Sequence, residues 1–425
     1  MNDFYSLATD SLNEKYQHLS QRYQEFKTKN LKLDMSRGKP SPEQLDLSNG
    51  MFESLKSRDY HTTDGNDARN YGGIDGLSEL KTILAPYLEV DSKQLIITGN
   101  SSLALLHDLI ARAFIHGFIT SPLPWSKLPV IRFLCPTPGY DRHFSICEYF
   151  KIEMIPINLN ANGPDMNQVE SLVAQDETIK GIICVPKYSN PTGITYSKET
   201  VLRLAALNTL APDFKIFWDN AYAVHHLTKT PDYLANILEA TQKAGYPDRV
   251  FIFGSTSKIS FAGAGIAMIA TSEANLNWLK KQLNIQSIGP DKLNQLRHVR
   301  FFKDNPIAVH MQKHAELIRP KFETVLATLE QELGSKNIAT WTNPNGGYFI
   351  SLDTLDGCAQ KVVQLAKEAG VILTNAGATF PYGKDPRNRN IRIAPTFPPL
   401  SELKVAMELL AICIQIVSLE KLLKQ

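Results

Sequence analysis

Short apolar segments alternate with helix-like segments through the middle of this chain. Seven of them read as strands, at residues 94–98, 130–134, 151–157, 181–185, 215–218, 250–253 and 266–270. Strand–helix–strand units of this kind build a mostly parallel sheet that helices cover. The alternation therefore predicts an α/β fold, in which ligands bind near the carboxyl ends of the strands.

The length of the chain and a change of pattern near residue 300 predict two domains. With 425 residues the chain exceeds the roughly 250 to 300 residues at which a single core stops growing. Beyond residue 300 the pattern changes to a long helix, two strands and two further helices, at 307–333, 339–342, 348–351, 360–369 and from Ser401. We expect an N-terminal arm with part of the small domain at 1–60, a large domain at 61–300, and a small α+β domain at 301–425.

Composition and charge narrow the class of partner. The formal charge is +2, and no block of five or more Lys or Arg occurs, so nothing supports a nucleic-acid-binding surface. No apolar run approaches the ~20 residues of a membrane helix, and residues 1–23 lack a signal-type apolar stretch. The five cysteines are widely spaced and mostly set in apolar runs, which predicts buried thiols in a reducing, cytoplasmic setting. We expect a small-molecule partner and no metal site.

Lys258 carries the strongest chemical signal. It ends the run Phe-Gly-Ser-Thr-Ser-Lys at 253–258, where a primary amine follows an apolar strand and lies beside small hydroxyl residues. Such an amine can form a Schiff base, although the run alone also fits a solvated loop lysine. Four further motifs favour a cofactor lysine: Asn-Pro-Thr-Gly at 190–193, Trp-Asp-Asn-Ala-Tyr at 218–222, Gly-Gly-Tyr-Phe at 346–349 and Ile-Arg-Ile at 391–393.

In their order and spacing these motifs resemble the class I/II aminotransferases, fold type I enzymes that use pyridoxal 5′-phosphate. The resemblance runs from about Ser36 to Pro398. More narrowly, the segments 36–40, 188–193 and 258–265 are similar to those of a bacterial aspartate aminotransferase subgroup. The resemblance implies a large domain with a mostly parallel, seven-stranded type of sheet and a smaller α+β domain.

The resemblance also implies roles for residues around the reactive ring of the cofactor. Lys258 would bind the cofactor covalently and then move a proton at the substrate Cα. Asp219 would keep the pyridine nitrogen protonated, Tyr222 and Asn190 would hydrogen-bond the phenolic oxygen, and Tyr140 would stack on the ring. Without the family, Asp219 fits a strand-terminal turn, and the tyrosines fit ordinary packed or turn aromatics.

The phosphate group is expected at a helix N-terminus. Gly-Asn-Ser-Ser at 99–102 follows a strand and opens an apolar helix. Backbone amides there, with the side chains of Asn100, Ser101 and Ser102, would face an anion. Ordinary N-capping by Asn or Ser explains the same residues, so the motif alone leaves both interpretations open.

Family resemblance adds further phosphate contacts and one departure. Ser255 and Ser257 would contact the phosphate, and Tyr71 would reach the cofactor of the neighbouring subunit, which implies a homodimer with shared active sites. Many relatives carry a phosphate-binding arginine eight residues after the lysine, but Ile266 occupies that position here. Other groups must therefore stabilise part of the negative charge of the phosphate.

Substrate contacts are expected from two cationic regions. Arg392 resembles the arginine that binds the substrate α-carboxylate, and its planar guanidinium suits a bidentate pair. Asn190 would contribute to the same carboxylate. Arg37 and Lys39, beside Gly38 in a segment that resembles the active-site entrance, are candidates for a distal carboxylate; alternatively, they only border the entrance.

We therefore expect transfer of an amino group from L-aspartate to 2-oxoglutarate by a ping-pong mechanism. Alternatives are an aminotransferase for aromatic or a broad range of amino acids, or a lyase that uses the same cofactor. A non-catalytic cofactor sensor would carry a DNA-binding module, for which about 35 residues before Ser36 are too few. A dinucleotide-dependent oxidoreductase would need a G-x-G-x-x-G motif after the first strand, which the sequence lacks.

Overall fold

Helices make up much of the chain in the computed structural model, which describes residues 3–424. In chain order they are α1 Thr9–Thr28, α2 Pro42–Asp46, α3 Ser78–Leu88, α4 Ser102–His116, α5 Asp141–Tyr149, α6 Met166–Val173, α7 Lys198–Ala205, α8 Ile237–Lys243, α9 Glu273–Gln286, α10 Lys292–Asp304, α11 Ile307–Leu333, α12 Ala359–Glu368 and α13 Leu400–Leu422. The long helix expected at 307–333 has the expected bounds.

The strands in chain order are β1 Leu33–Asp34, β2 Leu95–Ile97, β3 Arg132–Thr137, β4 Glu153–Asn160, β5 Gly163–Pro164, β6 Ile179–Cys184, β7 Lys215–Asp219, β8 Val250–Ser255, β9 Ala267–Ala270, β10 Ala339–Trp341, β11 Ile350–Thr354, β12 Val371–Ile372 and β13 Asn390–Ile393. Each strand expected from the alternation is present, with ends that differ by a few residues. Strand ends depend on pairing partners that a local pattern does not reveal.

A large mixed sheet has the order β2-β9-β8-β7-β6-β3-β4-β5. Strands β8, β7, β6, β3 and β4 are parallel, β9 is antiparallel to both neighbours, and the two-residue β5 only extends the edge at β4. Every residue of β6, β7, β8 and β9 is buried. Apart from Lys180, Lys215, Asp219 and Ser255, these strands consist of apolar residues and glycine, because helices cover both faces of the sheet. The α/β architecture is confirmed.

The order of the central strands brings the functional motifs together. Asp219, the last residue of β7, pairs with Phe253 of β8. β8 ends at Ser255, so Lys258 lies three residues beyond the same edge of the sheet. Carboxyl ends of adjacent parallel strands form the usual ligand crevice of such sheets.

A second core joins the two ends of the chain. Its buried residues come mainly from 4–35 and from 318–419, including α1, the second half of α11 and α13. Strand β1 pairs in parallel with β12, and β10, β11 and β13 form an antiparallel sheet. Arg392 lies on β13, opposite Ser351 of β11. The small sheet thereby carries the arginine toward the edge of the large one.

Two further observations concern the described residues 3–424. None of their helices has the length and apolar character that crossing a membrane requires. All five cysteines are buried and have free thiols.

Candidate active site

A cavity of about 140 Å³ lies at the carboxyl edge of the large sheet. Its lining combines the lysine, the strand-terminal aspartate and the residues that begin α4. The lining residues are Ser101, Ser102, Leu103, Tyr140, Val185, Asn190, Asp219, Ala221, Tyr222, Ser255, Ser257 and Lys258. Nine of these were singled out from the sequence, and those nine come from five separate stretches of chain. Other, larger cavities lie elsewhere, but the chemical groups converge on this one.

Asp219 presents one oxygen to the cavity without a protein partner. Its Oδ2 atom lies 2.9 Å from Nε2 of His143, while its buried Oδ1 atom has no hydrogen-bond partner within residues 3–424. A buried polar atom of this kind normally has a partner, because leaving it unpaired costs about 1–3 kcal/mol. Oδ1 is therefore an acceptor that suits a protonated ring nitrogen in the cavity.

Lys258 directs its amine between aromatic rings. Nζ lies 4.9 Å from the centre of the Tyr222 ring and 5.9 Å from that of Tyr348. Burial lowers the pKa of the Lys258 amine below its ordinary value, and the nearby carboxylate of Asp219 opposes part of that shift. A lowered pKa increases the fraction of neutral amine, the form that attacks a carbonyl carbon.

Two phenols border the lysine and remain protonated near neutral pH. Burial is the main cause that raises the pKa of Tyr140 to about 12 and the pKa of Tyr222 well above its ordinary value. Tyr140 also stands edge-on to His143, with ring centres 4.9 Å apart. Both hydroxyls are thus available as hydrogen-bond donors to an oxygen in the cavity.

The start of α4 offers an anion site. Ser101 precedes the helix, and its side chain makes no capping hydrogen bond. The orphan amides of a helix N-terminus and free hydroxyls together favour a bound anion. Across the cavity, the Ser255 hydroxyl donates to Ser257 at 3.2 Å, and the Ser257 hydroxyl donates to the carbonyl of Asn100, also at 3.2 Å.

Asn100 and Ile266 border a neighbouring cavity of about 610 Å³ instead of the one that contains the lysine. Ile266 is 2% exposed, and its backbone amide donates to the Thr256 hydroxyl at 2.9 Å. Its side chain packs in the core and cannot replace an arginine. Among the lining residues of the lysine cavity, all within the described chain, Lys258 is the sole cation.

Arg392 lies beside this cavity in a preformed polar frame. One terminal nitrogen lies 2.7 Å from Oδ1 of Asp141 and 3.3 Å from Oδ1 of Asn190, and the other lies 3.2 Å from the Thr374 hydroxyl. The guanidinium carbon is 5.0 Å from the centre of the Phe349 ring. The side chain is 5% exposed, so the frame fixes the guanidinium in place against Asn190, which lines the cavity.

The 36–40 segment packs against Phe349, the ring that Arg392 also contacts. A Cβ atom on Gly38 would meet the Phe349 ring, 2.6 Å from Cε1, so only glycine fits at this distance. Arg37 is exposed, and the exposed Lys39 places Nζ 3.8 Å from the centre of the Phe397 ring. Neither cation lines the lysine cavity.

Tyr71 lies outside the cavity altogether. Its side chain is 80% exposed, in a loop where the amide of Gly72 donates to the carbonyl of Ile288 at 3.0 Å. No hydrogen bond among residues 3–424 involves the Tyr71 hydroxyl. The residue is available to a neighbouring molecule.

Sequence reasoning missed three residues that hold the predicted ones. His143 binds Asp219, while Asp141 and Thr374 bind Arg392. His143 and Asp141 follow the candidate Tyr140 on the first turn of α5, and this proximity is the one local signal that could have identified them. Thr374 carries no such signal.

Comparison with known proteins identifies the class. A family model described as aspartate amino-transferase matches residues 7–425. An aspartate aminotransferase of Corynebacterium glutamicum is 45% identical over 406 residues, which cover 95% of this chain and 94% of that protein. A Mycolicibacterium smegmatis protein, provisionally named an aminotransferase, is 50% identical over 99% of each chain.

Solved structures agree with these sequence relatives. A crystal structure of an aspartate transaminase from Corynebacterium glutamicum superposes with a TM-score of 0.95 at 44% identity, covering 98% of both chains. An α-aminoadipate aminotransferase from Thermus thermophilus, at 20% identity and a TM-score of 0.73 over 92% of this chain and 93% of that one, shares the fold. The chain therefore belongs to the aspartate amino-transferase family and is a transaminase of the fold type I class.

Proposed function

We propose that this transaminase uses pyridoxal 5′-phosphate to transfer the amino group of L-aspartate to 2-oxoglutarate, giving oxaloacetate and L-glutamate by a ping-pong mechanism. The observation that carries the proposal is the convergence of the Lys258 amine, the unpaired Oδ1 of Asp219 and the framed guanidinium of Arg392 on one edge of the sheet. The 45% identity to an aspartate aminotransferase supports the choice of substrate.

The residues present fit the cofactor. Oδ1 of Asp219 lacks a partner that a protonated pyridine nitrogen would supply, and the start of α4 with Ser255 and Ser257 would hold the phosphate. Pyridoxal 5′-phosphate, when bound, supplies an aldehyde for covalent attachment of an amine and a ring that accepts electron density from the substrate Cα. Because no arginine stands at position 266, amides and hydroxyls carry more of the phosphate binding here.

The protein side chains then have separate tasks. Arg392 binds the α-carboxylate of the substrate through paired hydrogen bonds and so orients the Cα–H bond. Lys258, with its lowered pKa, removes and returns the proton at Cα as a general base and acid. His143 holds the Asp219 carboxylate through Oδ2 and leaves Oδ1 directed at the cavity.

The distal carboxylate of aspartate needs another cation. Arg37 and Lys39 are the candidates, because Gly38, which lies between them, packs on the Phe349 ring that also contacts Arg392. Both side chains are exposed, so they would engage a substrate only after the segment moves inward or with help from a second subunit.

We also propose a homodimer in which Tyr71 reaches the active site of the neighbouring subunit. The exposed Tyr71 and Ile288, 80% and 66% exposed, lie on adjacent segments and support a contact surface there. Five buried, unpaired thiols support a reducing, cytoplasmic location.

The visible absorption spectrum of the purified protein tests the cofactor and the half-reaction. We expect an absorption band from a lysine-bound cofactor that is lost when L-aspartate is added without a keto acid. Lys258→Ala should abolish turnover and keep the fold, whereas Lys243→Ala, at a side chain that is 79% exposed, should retain parental turnover. Parental turnover in Lys258→Ala would refute the assignment.

Product analysis separates the competing activities. A transaminase requires a keto-acid acceptor, a lyase does not, and a cofactor sensor turns over neither substrate. If aromatic amino donors react faster than L-aspartate with 2-oxoglutarate, the aspartate assignment fails, and Arg37 and Lys39 have no distal carboxylate to bind.

A further inference from the structure

Buried histidines lie within hydrogen-bonding distance of two backbone carbonyls, those of Lys258 and of the next residue, Ile259. His225 Nε2 lies 3.3 Å from the carbonyl oxygen of Lys258. His310 and His314, one turn apart on α11, place Nε2 2.8 Å and 3.1 Å from the carbonyl oxygen of Ile259. An imidazole nitrogen this close to a carbonyl oxygen must carry the proton, because two lone pairs would repel each other.

Gln44 fixes the tautomer of His314 through a chain of hydrogen bonds in which each donor is assigned. Gln44 Oε1 accepts from the backbone amide of Ser41 at 3.1 Å, which settles the orientation of the side-chain amide. Gln44 Nε2 therefore donates, at 3.2 Å to His314 Nδ1 and at 2.9 Å to the Tyr348 hydroxyl. Since Nδ1 accepts, the proton of neutral His314 resides on Nε2, which lies 3.1 Å from the carbonyl oxygen of Ile259 and 3.2 Å from Nε2 of His310. Because His310 Nε2 donates its own proton to that carbonyl at 2.8 Å and cannot also accept, the His314 proton points at the carbonyl of Ile259.

The environment keeps these rings neutral. His225, His310 and His314 are all buried, at 3% exposure or less. Burial lowers the pKa of His314 to about 4 with a contribution from His310, and it lowers the pKa of His225 well below its ordinary value with a contribution from Lys258. A neutral ring carries a single N–H, so each histidine donates in one direction.

The same contacts connect the lysine to the substrate side of the site. Gln44 lies on α2, directly after the 36–40 segment. At the other end of that segment the Thr374 hydroxyl donates to the carbonyl of Ser36 at 2.6 Å and accepts from Arg392 at 3.2 Å. One continuous segment is thus anchored beside the carboxylate-binding arginine and beside the backbone of the lysine.

We propose that His314, oriented by Gln44, is a positioning residue that holds the backbone carrying Lys258 through the carbonyl of Ile259. Its relevance to turnover rests on the transaminase function proposed above. His314 does not line the lysine cavity. Its Nε2–H donor is therefore the group through which it acts on Lys258. Loss of that donor should misplace the lysine and leave the binding of the substrate carboxylate intact.

A matched pair of substitutions isolates the donor. His314→Gln places an amide N–H near the position of Nε2, whereas His314→Met has similar bulk and no donor. Gln415→Leu is the control, because Gln415 is buried in α13 and, among residues 3–424, its amide donates only to the carbonyl of Ala411, at 3.3 Å. This substitution removes a buried hydrogen bond to a carbonyl on α13, a helix that contributes no residue to the lining of the lysine cavity.

Kinetics should separate positioning from binding. We expect His314→Met to lower kcat by about 10-fold to 100-fold with the KM for L-aspartate within about twofold, since small misplacements of a reacting group have effects of that size. His314→Gln should remain within about threefold of the parent, and Gln415→Leu should match the parent in both constants. Equal losses in the Gln and Met variants, or full kcat in His314→Met, would overturn the proposal.

Two measurements on the full-length protein do not depend on turnover. Nitrogen-15 NMR of labelled histidine, assigned with His314→Gln, should find the His314 proton on Nε2; a proton on Nδ1 would overturn the proposal even if every variant fails to fold. Amide hydrogen exchange of the 256–262 peptide should accelerate in His314→Met and not in His314→Gln. If the parent shows no transamination, the proposed function fails while these measurements still decide the positioning role.

Discussion

Replacing Gly38 by alanine tests how closely the 36–40 segment controls Arg392, the proposed substrate-binding arginine. The backbone of Gly38 does not require a left-handed conformation, so an added methyl group acts by contact alone. Its carbon would lie 2.6 Å from Cε1 of Phe349 and closer still to Cζ. Carbon atoms in contact normally stay about 3.5–4.0 Å apart, so the ring or the segment must move by about 1 Å.

Phe349 has little freedom to move. The residue is 4% exposed, its ring stands edge-on to Tyr222 with centres 6.3 Å apart, and Arg392 lies over it at 5.0 Å. Overpacking of this size costs about 1–3 kcal/mol. If the ring transmits that cost to Arg392, kcat/KM for both L-aspartate and 2-oxoglutarate should fall by about 5-fold to 150-fold, because each 1.4 kcal/mol corresponds to a factor of ten.

Steady-state kinetics with both substrates, together with denaturant unfolding, provide the assay. Gly50→Ala is the matched control, since its Cβ would meet Phe301 at 3.7 Å, an ordinary contact, and its backbone conformation also suits alanine. We expect Gly50→Ala to retain parental kinetics. A kcat/KM within twofold of the parent in Gly38→Ala, or equal losses in both variants, would refute the coupling between the segment and Arg392.

Three further predictions concern charge. Asp219→Asn keeps the shape of the side chain but removes its charge, so kcat should fall by at least ~100-fold while visible absorbance still reports bound cofactor; parental kcat would refute its electrostatic role. Asp213→Ala leaves Lys180, paired at 2.8 Å, buried and without its partner, so denaturant unfolding should report a loss of about 3–5 kcal/mol; a loss below 1 kcal/mol would contradict this. Burial lowers the pKa of His298 from 6.5 to about 4. The unfolded state therefore binds a proton first, so His298 alone should contribute about 3 kcal/mol to the fall in the free energy of unfolding as pH decreases from 6.5 to 4, and the slope should be shallower in His298→Gln.

Local sequence patterns were sufficient for the parts of the site that lie on single elements. Asp219 ends an apolar strand, and Lys258 follows another by a short turn, so their proximity at one sheet edge depends only on those two strands being parallel neighbours. The residues that begin α4 were likewise visible as a strand, a glycine and an apolar helix in succession. Each of these inferences needs only the period of hydrophobic residues and the chemistry of chain turns.

Contacts between distant segments were not predictable in the same way. His143 and Asp219 are 76 residues apart, Arg392 and Asp141 are 251 apart, and Gln44 and His314 are 270 apart. Asn100, predicted to lie beside the phosphate, lines the neighbouring cavity, and its carbonyl accepts a hydrogen bond from Ser257, which lines the lysine cavity. The direction of a side chain at a turn depends on the packing around it, which no local period encodes.

The α/β architecture, the strand-terminal carboxylate and the candidate lysine were thus predictable from the sequence, because they follow from hydrophobic period and residue chemistry along contiguous stretches. The groups that support them became evident from the folded chain. The order of strands in the sheet and the return of the N-terminal segment onto the C-terminal core bring His143, Asp141 and Gln44 to their partners. Those contacts arise from three-dimensional packing, in which residues far apart along the chain become neighbours.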